Sequence, residues 1–315
     1  MPYVECCVCE KPIEGQALEM GGRPYCPDCY ARVNRNRRSL WWASLLGIGL
    51  LVALVALLSF LFGQIRPHLE GPALTLTGVV LALLPALFWL AFFYLQDVRE
   101  PEPKWLVLGV FLLGALLARA VGLPLIEEVF GAPAWFSAGP VYHLLGAIFV
   151  TGFINQFLIY AGVRYTVYNS AEFDERVDGI LYGTAAALGY ATMGNLEYVV
   201  RSGGLDLSVG IIRIAVSALA MASFGGLLGY FLGRCKFEDE PAWWMPTGLA
   251  LAALLNGLFV FFWEEVTTTR VGLAGGGFNP WYGLLQGAVV AGLTFALLYY
   301  LIYRLSRRAP QAGGL

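Results

Sequence analysis

Polar and apolar residues segregate into long blocks along this chain. The first 39 residues are polar and cysteine-rich, and the first apolar run starts at Leu40 and continues to Phe62. Apolar blocks of twenty or more residues then recur almost to the C-terminus. At 1.5 Å per residue, about 20 such residues cross a ~30 Å hydrocarbon core. The pattern therefore predicts eight spans, at 40–63, 73–96, 105–126, 142–163, 178–200, 209–233, 243–263 and 281–303. Arg66-Pro67, the stretch from Asp97 to Lys104, Gly139-Pro140 and Asn279-Pro280 punctuate their ends. The runs are continuous rather than alternating, which excludes a β-barrel. The first is too long for a signal-peptide core and reads as a retained anchor. The predicted fold class is an all-α polytopic membrane protein.

Composition agrees, since only 13% of the 315 residues are charged and 58% are hydrophobic, against about 25% charged in soluble domains. The net charge of −2 leaves no basic field for nucleic acid, so nucleic acid is excluded as a partner. Loop charges orient the chain, because Lys and Arg are held on the cytoplasmic side during insertion. With the N-terminus inside, fifteen of the twenty Lys and Arg fall on inside segments, and only Arg66, Arg201 and Arg270 fall outside. Both termini are thus expected in the cytosol. The implied organisation is a cytosolic module over 1–33, a membrane domain over 40–304 and a tail over 305–315.

Five of the six cysteines, Cys6, Cys7, Cys9, Cys26 and Cys29, lie in the first 29 residues. Cys235 is expected in a later loop. Cys6 with Cys9, and Cys26 with Cys29, form two CxxC knuckles that can place four thiolates around zinc. Lys11 to Gly15, Gly22 to Tyr25 and Tyr30 around them resemble half of a LIM-like finger or a zinc ribbon. Four cysteines leave no open coordination position for water, so the expected role is structural. A reducing cytosol suits free thiolates, and a disulfide reading is the alternative.

Ionisable and amide side chains at membrane depth are expensive and are therefore candidates for function, facing the bundle interior. They are Arg119, Asn155, Gln156, Asp178, Asn195, Glu197, Arg213, Asn256 and Gln286. Single amides more often join helices through interhelical hydrogen bonds. Arg213 is expected to pair with Asp178 or Glu197. Of the two histidines, His68 and His143, the latter reads as a cap-region residue at a span end. Glu127-Glu128 and Glu264-Glu265 read as solvated pairs at outer span ends. No HExxH helix, nucleophile elbow, P-loop or dinucleotide fingerprint is present.

Several motifs occur in a recognisable order: Asp97 with Glu100-Pro101-Glu102-Pro103-Lys104-Trp105, then Phe173 with Asp178 to Gly183, Gly189-Tyr190 with Asn195 and Tyr198, and Arg213 ahead of Gly229 to Gly233. Over about residues 80–300 this order resembles the PrsW family of intramembrane proteases, related to the CAAX-processing membrane proteases. The resemblance implies cleavage in or near the membrane by adjacent glutamates and by histidines on later spans, through a metal-activated water. It also implies a bacterial inner membrane.

In this chain the paired-glutamate position is Asn155-Gln156, and the basic residue expected soon after is Ile159. A further glutamate position is Gly194, and two histidine positions are Met221 and Asn256. Amides cannot act as bases, and Met is a poor ligand for a hydrolytic metal. The expectation is a catalytically inactive relative with no catalytic metal. Its polar intramembrane cleft of Asn155, Gln156, Asp178, Asn195, Glu197, Arg213 and Asn256 would bind a membrane helix, a lipid or a protein partner. Alternatives are an active metalloprotease using Asp178, Glu197, Glu127, Glu128 or His143, and a small-solute transporter, although no inverted repeat is visible.

Overall fold

In a computed structural model, the structure describes residues 4–6, 11–13, 17–20, 23–30, 37–65, 70–96, 102–203, 207–268, 285, 289, 292, 293, 295–297, 300 and 301. The N-terminal module carries a hairpin, β1 (Leu18–Met20) antiparallel to β2 (Arg23–Tyr25), with Leu18 opposite Tyr25. The rest is helical: α1 (Arg37–Ile65), α2 (Gly71–Gln96), α3 (Lys104–Val129), the short α4 (Ala132–Ser137), α5 (Pro140–Thr166), α6 (Arg176–Arg201), α7 (Leu207–Phe237) and α8 (Trp244–Thr268). The described residues within 281–303 are all helical, and Phe295 packs against Trp89, Phe92 and Phe93 of α2.

Five of these helices contain stretches long and apolar enough to cross a membrane: Gly71–Tyr94, Lys104–Val129, Pro140–Thr166, Gly210–Phe237 and Trp244–Phe262. The chain is an all-α polytopic membrane protein. Every predicted span from 40–63 to 243–263 falls on one helix, and most helices run further than predicted. The extension of α7 to Phe237 puts Cys235 on its last turn, not in a loop. Its Arg234 and Lys236 belong to the helix C-terminus, where cations favour the macrodipole. At the start of α6, the Glu175 side chain accepts from the Asp178 N–H, while the Glu175 N–H donates to Asp178 Oδ2 at 2.6 Å.

Helix α6 holds the bundle together. It is less apolar than its neighbours because it carries Arg176, Asp178, Asn195, Glu197 and Arg201, yet most of it is buried. Lipid cannot solvate such a helix, so other helices must enclose it, and small residues permit the close approach this requires. A Cβ on Gly179 or Gly183 would strike the carbonyls of Gly229 or Gly225 in α7. On the opposite side, a Cβ on Gly189 would strike the Phe111 carbonyl of α3, and one on Gly114 the Ala186 carbonyl. The same device joins α5 to α8, where Gly152 faces the Ala253 carbonyl.

The α3 and α5 helices are irregular. Ala118–Gly122, Leu125–Val129 and Gly146–Gly152 are π-helical, a form concentrated at functional sites.

Gly229→Val is expected to destabilise the bundle by about 1–3 kcal/mol, as overpacking does, and to lower the denaturation temperature in detergent. Gly194→Ala, where an added Cβ meets nothing within 4 Å, is expected to leave stability unchanged or raise it by about 0.5–1 kcal/mol.

Candidate functional site

Residues three or four apart share a helix face, and four helices turn such polar faces toward one cavity of about 440 Å³. From α5 come Thr151 and Asn155, from α6 Tyr190, Gly194, Asn195, Tyr198 and Arg201, from α7 Arg213, Ser217 and Met221, and from α8 Asn256. The π-helical end of α3 contributes Leu123, Ile126 and Glu127, and α4 contributes Ala132, Pro133 and Phe136. The volume suits a small ligand or a few residues of chain.

The buried polar groups of the lining are uncharged. Asn256 Nδ2 lies 3.4 Å from Met221 Sδ, and Asn195 Nδ2 donates to the Ile214 carbonyl at 3.4 Å. Among the described residues no hydrogen-bond partner meets Thr151 Oγ1, Asn155 Oδ1, Tyr190 OH or Asn256 Oδ1. Each such buried atom costs about 1–3 kcal/mol unless water or a ligand satisfies it. Charge is confined to one end. Arg201 donates to Glu127 at 2.5 Å and to Glu197 at 2.7 Å, and the Arg213 guanidinium lies 3.7 Å from the centroid of the Tyr198 ring.

The structure thus brings Asn155, Asn195, Arg213 and Asn256 together, with Gly194 and Met221 beside them. Gln156 is fully buried next to Asn155 but does not line the cavity. Glu197 is tied to Arg201 on the cavity rim. Asp178 lies at the other end of α6, 23 residues from Arg201, or about 35 Å along the axis. Arg119 is exposed on α3, so its long side chain faces away from the bundle interior. His143 is 2% exposed in the first turn of α5, between Phe136 and Phe261. Glu128 is exposed, while Gln286, His68 and the side chains of Glu264 and Glu265 lie outside the described residues.

Sequence reasoning missed Thr151, Tyr190 and the Glu127–Arg201 pair. Thr151 stands four residues before Asn155, and Tyr190 four before Gly194, so helical spacing carried a usable signal for both. Nothing local linked Glu127 to Arg201, 74 positions away.

A second polar cluster surrounds Asp178. Carboxylate oxygens of Glu102, Asp174 and Asp178 lie within 4.8 Å of one another, and Tyr182 OH donates to Glu102 Oε2. Burial pushes the Glu102 carboxyl up to about 7; hydrogen bonds with Tyr182 and Asp178 oppose the rise, and Asp174 and Glu172 add to it.

In the N-terminal module the Sγ atoms of Cys6, Cys26 and Cys29 also lie within 4.8 Å of one another. The Cys29 N–H points at Cys26 Sγ at 3.5 Å, a tight turn of the kind that holds metal ligands. Cys6, Cys26, Cys29 and Cys235 form no disulfide with one another, and Cys7 and Cys9 lie outside the described residues.

Residues 102–276 match the profile of the PrsW family of intramembrane metalloproteases. The chain belongs to the PrsW family. It is 34% identical over 179 residues to the protease PrsW of Halalkalibacterium halodurans, covering 56% of this chain and 79% of that protein. It is 30% identical over 231 residues to that of Geobacillus kaustophilus, covering 73% and 89%, and 29% identical over 184 residues to that of Bacillus subtilis, covering 57% and 79%. No significant match to a solved structure is found. Asn155, Gly194, Met221 and Asn256 all line this cavity, and Gln156 is buried beside Asn155.

A carboxyl whose folded pKa lies above its unfolded value stabilises the fold most at low pH. That stability is present below about 4.5 and is lost as the pH rises through about 7. The denaturation temperature is therefore expected to fall between pH 5 and 8. Glu102→Gln, which keeps an acceptor for Tyr182, should flatten that dependence; an unchanged slope would refute the assignment to Glu102.

Proposed function

We propose that this PrsW-family protein is a catalytically silent member whose intramembrane cavity binds a membrane helix, a lipid or a protein partner. The observation that carries this reading is the chemistry of the lining. Two amides, a thioether and a glycine stand at the places that the family resemblance gives to acids and imidazoles, and Glu127, the one lining carboxylate among the described residues, is committed to Arg201. A family of metalloproteases implies a metal, but this donor set does not fit one. Hydrolytic zinc takes imidazole and carboxylate ligands with an open water position, and amides and thioethers are poor substitutes. Polar side chains at these buried places support a retained cavity rather than a filled core.

The second reading is an active protease with rearranged residues. It is favoured by the named activity of the relatives and by the presence of Glu127 at the cavity.

In the proposed arrangement both termini are cytosolic, with a zinc module over 1–33, the membrane domain over 40–304 and a tail over 305–315. The expected location is a bacterial inner membrane, in keeping with the bacterial relatives. The proposed zinc ligands are Cys6, Cys9, Cys26 and Cys29, in a structural role that recruits a partner. A module this small has little core and depends on metal to fold.

The test compares the natural chain with an Asn155→Glu, Gln156→Glu, Met221→His, Asn256→His variant on a membrane-anchored substrate in proteoliposomes. The natural chain is expected not to cut, and the quadruple variant to gain zinc-dependent cleavage. Cleavage by the natural chain would establish the second reading.

A further inference from the structure

Two buried amide oxygens on the cavity wall lack partners among the described residues. Asn155 is 8% exposed and Asn256 1% exposed, and neither Asn155 Oδ1 nor Asn256 Oδ1 meets a hydrogen-bond donor. Thr151 Oγ1, one turn before Asn155, and the hydroxyl of Tyr190, a residue 5% exposed, are unpartnered on the same lining. A hydroxyl can donate or accept, but an amide oxygen only accepts. The two amides therefore call for an occupant that brings hydrogen-bond donors.

The bundle has no room to close over them. Helices α5 and α8 already touch backbone to backbone, since a Cβ on Gly152 would strike the Ala253 carbonyl and one on Gly257 the Ile148 backbone. Asn155 follows Gly152 by three residues and Asn256 directly precedes Gly257, so both amides ride on that contact and their spacing is fixed.

The lining also sorts occupants by charge and shape. An anion would face the lone pairs of two amide oxygens. A cation would find Glu127, the one lining carboxylate among the described residues, already paired with Arg201, and would meet Arg213 on the same wall. A transmembrane helix brings few donors, because its backbone N–H groups are bonded within it. Such a helix, ~10 Å across with a 5.4 Å pitch, fills about 420 Å³ per turn, so a cavity of about 440 Å³ takes one turn and not a span. Leu123, Ile126, Phe136, Phe259 and Val260 give the same lining an apolar part suited to hydrocarbon.

We infer that the cavity takes the neutral polyol head of a membrane lipid, an acylglycerol whose hydroxyls donate to Asn155 Oδ1 and Asn256 Oδ1 while its chain lies along the apolar lining. This rests on the reading that the cavity binds a ligand, and it names the chemistry of what is bound.

The test places the full-length protein in phosphatidylcholine nanodiscs, whose head groups carry no hydrogen-bond donor. A monoacylglycerol with a photoreactive diazirine in its chain is crosslinked to it, and the labelled residues are read by mass spectrometry. The competitors are 1-oleoylglycerol, propyl oleate, which has hydrogens in place of both hydroxyls, and free glycerol. Leaving two buried oxygens unsatisfied weakens binding by about tenfold or more, so oleoylglycerol should compete at a mole fraction at least about tenfold below that of propyl oleate. Free glycerol should compete far more weakly than either lipid. In an Asn155→Leu, Asn256→Leu variant the two lipids should compete equally, and the denaturation temperature should not fall, because two orphan oxygens have been removed. Equal competition by the two lipids on the natural chain would overturn the proposal, as would labelling that avoids the cavity lining, which would leave water as the occupant. Free glycerol competing as well as oleoylglycerol would overturn the lipid. None of these readouts needs catalysis, so cleavage of a membrane-anchored substrate by the natural chain would overturn the silent reading alone.

Discussion

The close approach of α6 to its neighbours is the constraint on which the rest of this molecule depends. A membrane offers no partner to Asp178, Asn195 or Glu197, so the helix that carries them has to be enclosed by protein. Enclosure needs backbones near contact, and Gly179 and Gly183 against Gly225 and Gly229, with Gly189 and Gly114 on the other flank, provide it. Those contacts fix the rotation of α6 about its own axis. They turn Tyr190, Gly194 and Tyr198 to one side, and α7 and α8 bring Met221 and Asn256 to meet them.

The two ends of α6 then take different electrostatic roles. At its start, carboxyl groups from three segments converge beneath Tyr182, and burial holds Glu102 near neutrality. At its end, Arg201 gathers Glu127 and Glu197 on the cavity rim. Between the ends, the buried polar side chains that line the cavity among the described residues are uncharged, and the atoms left unpartnered there are the oxygens of amide and hydroxyl groups. Such a lining offers donors and acceptors to a hydrogen-bonding group that occupies it.

Much of this was legible in the sequence, and the reasons are specific. Long apolar runs report their own helices because the bilayer fixes their length, so 73–96 and 243–263 land on α2 and α8 to within a few residues. Ends were less legible where polar residues prolong a helix, as Arg234 with Lys236 do for α7. Asn155, Met221 and Asn256 stood out singly because amides and a family position mark them, but their meeting depends on three helices and has no local trace. Asp178 and Glu197 were separable in the sequence, because they stand near opposite ends of the span 178–200. Three of the thiols in the cysteine module come together as the CxxC spacing anticipates.

The central claim is that the cavity works without a metal while the N-terminal thiols hold one. Metal content of the purified protein, compared with that of a Cys26→Ser, Cys29→Ser variant, tests it most directly. The account predicts one zinc per natural chain and none in the variant. A second zinc that survives the substitution would place metal in the membrane domain, contradict the silent cavity and make this chain a metalloprotease with rearranged ligands.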